Sequence, residues 1–383
     1  MERVYFDNGA TSYPKPEGVV QAVTNYMTNI GCNIGRGVYS QAQIAEDAVY
    51  ETREMISELF NFDLPENVCF TKNITESLNV IIKGFVQKKD RVIVSTVEHN
   101  AVMRPLNMVG ADIMKVDLIS DCIKGLIELE VFLKKGTKAV IMTHSSNVTG
   151  DILPLFQVGK LCKKYEVAFI VDSAQSAGFL QIDMKALNID CLCFTGHKSL
   201  LGPQGMGGFV ISHNLEKKIS SFIQGGTGST SDLEIQPDFM PDKFESGTQN
   251  IPGIFGFKAA LEFLKEKGID SIREHERELC DYFVEKLLQI DSEQKQFRLV
   301  GKGESKERTP IVSLDFIKLD NAEVSHILQS KFNIQNRCGL HCSPSAHKFY
   351  GTFPQGTVRF GLGHRNTKTE VDYVCECIKN IVG

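Results

Sequence analysis

Between Glu66 and Ser212 the chain alternates short β-branched apolar runs with helical patterns, and this alternation constrains the fold more than any other feature. The runs are Val68 to Thr71, Arg91 to Ser95, Ala139 to Thr143, Val167 to Asp172, Cys191 to Thr195 and Gly208 to Ile211. Strands that read as nearly continuous apolar stretches have no polar face to give to water. They predict an α/β domain with a mainly parallel sheet covered by helices on both sides. Ligands of such sheets bind beyond the carboxyl ends of the strands. The residues just past these runs are polar: Thr75-Glu76, Glu98-His99, Ser146-Asn147, Asp172 to Gln175, and Gly196-His197-Lys198.

At 383 residues the chain is long for one compact unit, and two domains are expected. The pattern changes after residues 225–250, an aperiodic stretch of a length that is usually functional or disordered when it lies inside a compact chain. Pro252 then opens a helix with Phe255, Ala259, Phe263 and Leu264 on one side, ended by Gly268. A second helix follows over Ser271 to Gln289, then a strand over Ile311 to Phe316 and a helix over Ala322 to Phe332. A strand pair (Ile334 to Arg337, Thr357 to Leu362) leads to a last helix opened by the Thr367/Glu370 capping box. The division is therefore a large α/β domain over residues 1–250 and a smaller α+β domain over residues 251–383, with roughly residues 1–15 packing on the smaller one.

Composition narrows the classes of function. Hydrophobic residues at 42% and charged residues at 23% are those of an ordinary globular protein. A net charge of -5, with no dense Lys/Arg run among aromatics, disfavours nucleic acid and membrane surfaces as partners. Residues 1–8 lack the charged and apolar regions of a signal peptide, and no apolar run approaches the about 18 residues of a membrane span. The cytoplasm is the expected compartment. The 11 cysteines show no disulfide-framework spacing, so most read as small buried hydrophobes.

Lys198 and Asp172 carry the first chemical signal. A lysine delivered by an apolar run into a small, dry pocket loses affinity for its proton, and the neutral amine can form a Schiff base with an aldehyde. A carboxylate at the end of the most apolar strand needs a cation or a strong donor opposite. A protonated pyridine nitrogen is one such partner, and the pair points to pyridoxal 5'-phosphate (PLP). The plainer readings stand beside it: Asp172 as a helix cap, Lys198 as a solvated loop residue. Ile74, Leu78, Ile81, Ile82 and Phe85 recur at helical spacing, placing Thr75 and Glu76 at a helix start that favours a phosphate, although capping alone explains Thr75 equally well. Thr195 and His197 flank the lysine and could add contacts.

In order along the chain, YFDNGATS (5–12), NIGRGVYS (33–40), TKNITESLN (71–79), VEHNA (97–101), SSNVTG (145–150), VDSAQSAG (171–178), TGHKSLLGPQGMG (195–207), FESGTQN (244–250) and VRFGLGHRNT (358–367) resemble the class V aminotransferases of PLP fold type I. Within that family they are similar to the cysteine desulfurases of the NifS and SufS kind. The resemblance implies a large domain with a mainly parallel seven-stranded sheet and a smaller α+β C-terminal domain. It also implies that Lys198 is the Schiff-base lysine, Asp172 pairs with the pyridinium, His99 stacks on the ring, and Gln175 bonds its phenolic oxygen with Asn147 nearby. Thr75, Glu76, Thr195 and His197 would surround the phosphate. Thr248 would reach the phosphate of a neighbouring subunit, making the chain a homodimer. Arg359, with Asn147, would hold the substrate carboxylate, as a guanidinium fork suits; a surface strand arginine is the plainer reading.

The reaction turns on NRCGLHCSPSAHKFYGT, residues 336–352. Cys342 stands in a polar Gly/Ser/Pro/His-rich loop, where an accessible thiol would sit. Arg337, Gly339, His341, Cys342 and Pro344 match the family segment whose cysteine takes sulfur from the substrate. Leu340 stands where histidine is common, and Cys338 is an additional thiol. An inert Cys342, a metal site of Cys338, His341, Cys342 and His347, or a Cys338–Cys342 disulfide are the alternatives; the spacing fits no zinc pattern, and no metal is expected. The expected activity is a PLP-dependent desulfurase. It turns L-cysteine into L-alanine, with Lys198 as base, His99 as acid or base at the thiol, and Cys342 holding the sulfur for an acceptor protein. A selenocysteine lyase, another lyase or aminotransferase with an idle Cys342, and a PLP-free scaffold are the rivals.

Overall fold

The computed structural model describes residues 3–303 and 305–383. Its strands, in chain order, are β1 (Val4–Tyr5), β2 (Val68–Thr71), β3 (Arg91–Ser95), β4 (Asp112–Val116), β5 (Ala139–Thr143), β6 (Ala168–Asp172), β7 (Cys191–Thr195), β8 (Gly207–Ile211), β9 (Phe297–Val300), β10 (Ile311–Phe316), β11 (Ile334–Gln335), β12 (Arg337–Gly339) and β13 (Thr357–Gly361). The large sheet has seven strands in the order β2-β8-β7-β6-β5-β3-β4. Strands β4, β3, β5, β6 and β7 run parallel, and β8 is antiparallel to both β7 and β2.

Alternate residues of the same strands enter two separate apolar clusters. Val140, Met142, Phe169, Val171, Leu192 and Phe194 pack on one face, and Ala139, Ile141, Ile170, Cys191 and Cys193 on the other. Both faces are dry, which is why these strands read as continuous apolar runs. β4 escapes that reading because it is an edge strand whose Asp112 and Lys115 face solvent.

The small sheet is antiparallel, β12-β13-β10-β9. The expected strand over Ile334 to Arg337 is broken into β11, which pairs parallel with β1, and β12, which joins β13. Val4 and Phe6 lie in the cluster under the small sheet, together with Leu279, Phe283, Val358 and Phe360. The helix Ile251–Lys267 is capped by Asn250, whose side chain accepts from Gly253 N at 3.1 Å. It buries Ile254, Phe257, Leu261 and Leu264 against the large sheet's cluster. Phe255 and Phe263, expected on the apolar side, are half-buried at its flank, Phe255 against the ring of Tyr26. The capping box of Thr367 and Glu370 starts the helix Lys368–Val382 as expected. Among the described residues no helix is long and apolar enough to cross a membrane.

Candidate active site

Lys198 lies in the loop from β7 to β8, beyond the carboxyl ends of the parallel strands. It lines a small cavity with Asn8, Gly9, Gln175, Glu276 and His364. Burial pulls its ammonium down to about 8, the Arg359 guanidinium pushes the same way, and Asp172 opposes. An amine that gives up its proton near pH 8 is neutral far more often in the physiological range than an ordinary lysine, which is what a reactive lysine needs. The solvated-loop reading of Lys198 does not survive this setting.

Asp172 ends β6 and is 2% exposed. One oxygen accepts from Ala174 N at 2.9 Å, closing a turn rather than capping a helix. The described residues make no hydrogen bond to the other. Burial raises its pKa, while the Ala174 N–H and the Lys198 charge pull it back. Gln175, also buried, donates to Gly9 O at 3.0 Å, tying the N-terminal segment over the strand ends.

His99 caps the helix Asn100–Val109, its Nδ1 accepting from Ala101 N at 3.0 Å. That bond leaves the ring proton on Nε2. Burial and then the charges of Lys198, Arg104 and Arg359 hold the ring down to about 4, so it is neutral in the physiological range. Its neighbour Glu98 is fully buried and accepts from Thr143 N, Ser95 N and Ser95 Oγ, fastening β3 to β5 below the site. Burial pushes that carboxyl up to about 8.

Thr195 Oγ1 and His197 Nδ1 are buried without a hydrogen-bond partner. Orphaned polar atoms are costly in an interior and mark a place for a ligand with acceptor oxygens. The main chain here is fixed from outside: Ser12 N, at 3.0 Å, and Lys15 Nζ, at 2.7 Å, both donate to His197 O. Thr75 lies further out. The helix Ile74–Phe85 is capped by Asn73, whose side chain takes the Glu76 N–H, and the Glu76 carboxylate turns back to Lys72 N at 2.7 Å. Thr75 is exposed in the first turn, so capping does not explain it. Thr248 is exposed too, in a hollow it shares with Glu76 and Asn250 rather than in the Lys198 cavity. Three residues before it, Glu245 is buried in a bidentate pair with Arg53, at 2.9 and 2.7 Å.

Arg359, on β13, is buried, which rules out the surface salt-bridge reading. Its Nη1 donates to Asn147 O at 2.8 Å, and Nη2 approaches Asp7 at 3.4 Å. Asp7 is shared: the cross-strand neighbour Arg337 binds it at 2.7 Å. Arg359 Nε has no partner, so part of the fork is still available to a carboxylate.

The loop after β12 brings Cys342 to the same end of the molecule. Cys342 is exposed, within electrostatic reach of Arg337 and Arg359. Its carbonyl accepts from Asn100 N at 2.9 Å, next to His99. The Asn147 side chain donates to His341 O and accepts from Ser343 Oγ, both at 2.6 Å. His341 and Cys342 have φ of 47° and 59°. Two successive non-glycine residues in this left-handed region cost about 1–2 kcal/mol each. The strain persists because the loop is held on both sides. Cys338 instead lies across from Val358, packing partly buried beside the small-domain cluster, so its side chain takes the opposite face of β12 from Arg337. Cys338 and Cys342 are both free thiols, and no cluster of three metal-ligating side chains occurs among the described residues.

Lys198, Asp172, Gln175, His99, Thr195, His197, Asn147, Arg359 and Cys342 thus gather at adjoining strand ends, with Thr75 and Glu76 at the outer edge and Thr248 apart. Asp7, Ser343 and Glu276 were not singled out by sequence reasoning, and Glu98 was marked only as a polar residue just past a strand. Glu276 lies on the helix Ile269–Ile290, buried and facing the Lys198 cavity, and burial holds its carboxyl up to about 8. Asp7 and Glu98 sat inside motifs already marked, but their partners are remote in sequence and leave no local pattern.

Known proteins similar to this chain identify its family and fold. A Borreliella burgdorferi protein named "Probable cysteine desulfurase" is 30% identical over 99% of this chain and 92% of its own length. One of the same name from Pyrococcus abyssi is 31% identical over 100% and 95%. A solved apo structure of cysteine desulfurase from Thermococcus onnurineus superposes with a TM-score of 0.90 at 29% identity, covering 99% of this chain and 94% of that one. The fold is therefore that of the PLP-dependent transferases of fold type I. The profile of the family described as aminotransferase class-V matches residues 4–374. The chain belongs to the class-V aminotransferase family, whose members depend on PLP.

Proposed function

We propose that this chain is a PLP-dependent cysteine desulfurase that converts L-cysteine to L-alanine and keeps the sulfur as a persulfide on Cys342. The observation that carries the reading is the meeting of an exposed thiol, a buried guanidinium and a lysine whose affinity for its proton is lowered by burial, at one end of the sheet.

The residues fit the cofactor. Thr195 Oγ1 and His197 Nδ1 offer unpaired buried groups for a phosphate, with Thr75 and Glu76 at the helix start beyond them. Asp172 keeps one oxygen for a ring N–H, Gln175 and His99 adjoin it, and Lys198 is the amine for the aldehyde. When bound, PLP supplies an electron-withdrawing ring that acidifies the substrate's Cα–H.

The chain's own groups do the rest. Arg359 binds the substrate carboxylate with its fork and orients the amino acid, with Asn147 beside it. Lys198 Nζ, free of its proton, takes the Cα hydrogen. The Sγ thiolate of Cys342 attacks the substrate sulfur; the S–S bond forms, the substrate Cβ–S bond breaks, its electron pair passes to Cβ, which takes up a proton, and Lys198 Nζ returns a proton to Cα to give alanine. His99, neutral with a proton on Nε2, is placed to move the proton of the substrate thiol.

The active form is a homodimer in which Thr248 reaches a phosphate across the interface. Supporting this, Val38, Tyr39 and Ile44 are exposed on one segment and Phe222, Leu233, Ile235 and Phe239 on another, and Arg36 Nε joins the segments through Gly228 O at 2.9 Å. Such a spread of exposed apolar side chains fits a surface covered by a second copy. The persulfide passes to an acceptor protein, and the free thiols suit a reducing cytoplasm. Anaerobic incubation with L-cysteine should add one sulfur to the intact chain and release alanine, and the adduct should vanish in Cys342→Ala. Alanine without the adduct would return the reading to a lyase; faster turnover of L-selenocysteine would make it a selenocysteine lyase.

A further inference from the structure

Ser343 occupies the N-cap position of the helix Pro344–Tyr350, yet its side chain makes no capping bond. The hydroxyl donates instead to Asn147 Oδ1 at 2.6 Å. That bond decides which way the Asn147 amide faces, and Nδ2 therefore meets His341 O at 2.6 Å. One asparagine side chain thus grips the residues on either side of Cys342. The grip is completed by Asn100 N on Cys342 O at 2.9 Å and by Ser343 N on Leu340 O at 2.8 Å. Ser343 is fully buried, so water has no access to replace a lost hydroxyl. The segment it holds is the one with two consecutive left-handed residues, His341 and Cys342, which would relax to other backbone conformations if released. The main-chain carbonyl of the same Asn147 accepts from Arg359 at 2.8 Å, so the grip and the carboxylate anchor share one residue.

We propose that Ser343 is a positioning residue for the sulfur-accepting thiol: acting through Asn147, it fixes the backbone that presents Cys342. It thereby sets the rate of sulfur transfer without setting the affinity for the amino acid. This rests on the desulfurase reading.

The test compares wild-type and Ser343→Ala holoenzymes, with Ser343→Gly as the second variant if the first does not fold. Hydrogen exchange followed by mass spectrometry should show the peptides containing Asn100 and Ser343 exchanging at least about tenfold faster in the variant, with peptides of the large sheet unchanged. Single-turnover gain of sulfur at Cys342 should slow at least about tenfold while KM for L-cysteine stays within about twofold. Unchanged exchange overturns the clamp whatever the reaction proves to be. Faster exchange with undiminished sulfur transfer, or a loss carried by KM, overturns the positioning role. A wild-type chain that gains no sulfur at Cys342 overturns the desulfurase reading and the role built on it, and the exchange result still decides whether the hydroxyl holds the loop.

Discussion

The Lys198 turn and the Cys342 loop solve opposite problems within one site. Lys198 follows a strand buried on both faces, and its surroundings weaken its hold on its proton by denying it water. Cys342 is exposed on a strained loop and is kept in place by a few hydrogen bonds from Asn147, Asn100 and Ser343. The difference follows from what each atom must do. In the proposed reaction, an amine that has to be neutral gains from a dry core, whereas a thiol that has to pass sulfur on must be reachable. Rigidity comes from packing in the first region and from polar clamps in the second.

Lys198→Ala is the harshest test of the buried half. It should abolish covalent cofactor attachment, read as loss of the visible absorbance band, and lower turnover by roughly 10⁴-fold or more. Retained turnover would remove Lys198 from the chemistry. Cys342→Ala tests the exposed half: the sulfur adduct should disappear and alanine formation should fall by about 10²–10³-fold while the absorbance band persists. Should both variants lose the band, the two regions would not be separable as described.

Arg359→Lys probes the seam between them. A lysine cannot form the fork or keep the Asn147 and Asp7 contacts together, and the loss of about 1.5–3 kcal/mol should raise KM roughly ten- to hundredfold. Steady-state kinetics with kcat reported separately would check it. The smallest effect expected is on pH. With the Lys198 amine titrating at about 8 rather than at an ordinary lysine value, protonated amine is lost as pH rises through that range. Cofactor uptake by the cofactor-free chain should climb roughly tenfold from pH 7 to pH 9 and then level off. A rise continuing unabated to pH 10 would mean that burial does not tune the amine.

Much of the first region was legible in the sequence, and less of the second. The strands β2, β3, β5 and β7 have the expected bounds because burial on both faces leaves an unbroken apolar signature, and Asp172 and Lys198 stand out as polar residues at the ends of such runs. The edge strand β4 and the short β9 carry no such signature. Around Cys342 the motif could name the thiol but not its support. The ion pair of Arg337 with Asp7 spans 330 residues of sequence, and Ser343 lies 196 residues from Asn147. The left-handed pair His341 and Cys342 contains no glycine to announce it. The residue types near one another in sequence report local burial; only folding reveals which distant polar groups meet.

The pairing of β1 with β11 has a consequence for assembly. A ribosome releases the first of these strands some hundreds of residues before its partner, and Asp7 must wait equally long for Arg337 and Arg359. The stretch that carries Lys198 emerges before the contacts of Asp7 with Arg337 and Arg359 can form, because those are finished only when the later strand folds back onto the earlier one. A nascent chain interrupted midway would carry Lys198 without the guanidinium proposed to orient a substrate beside it.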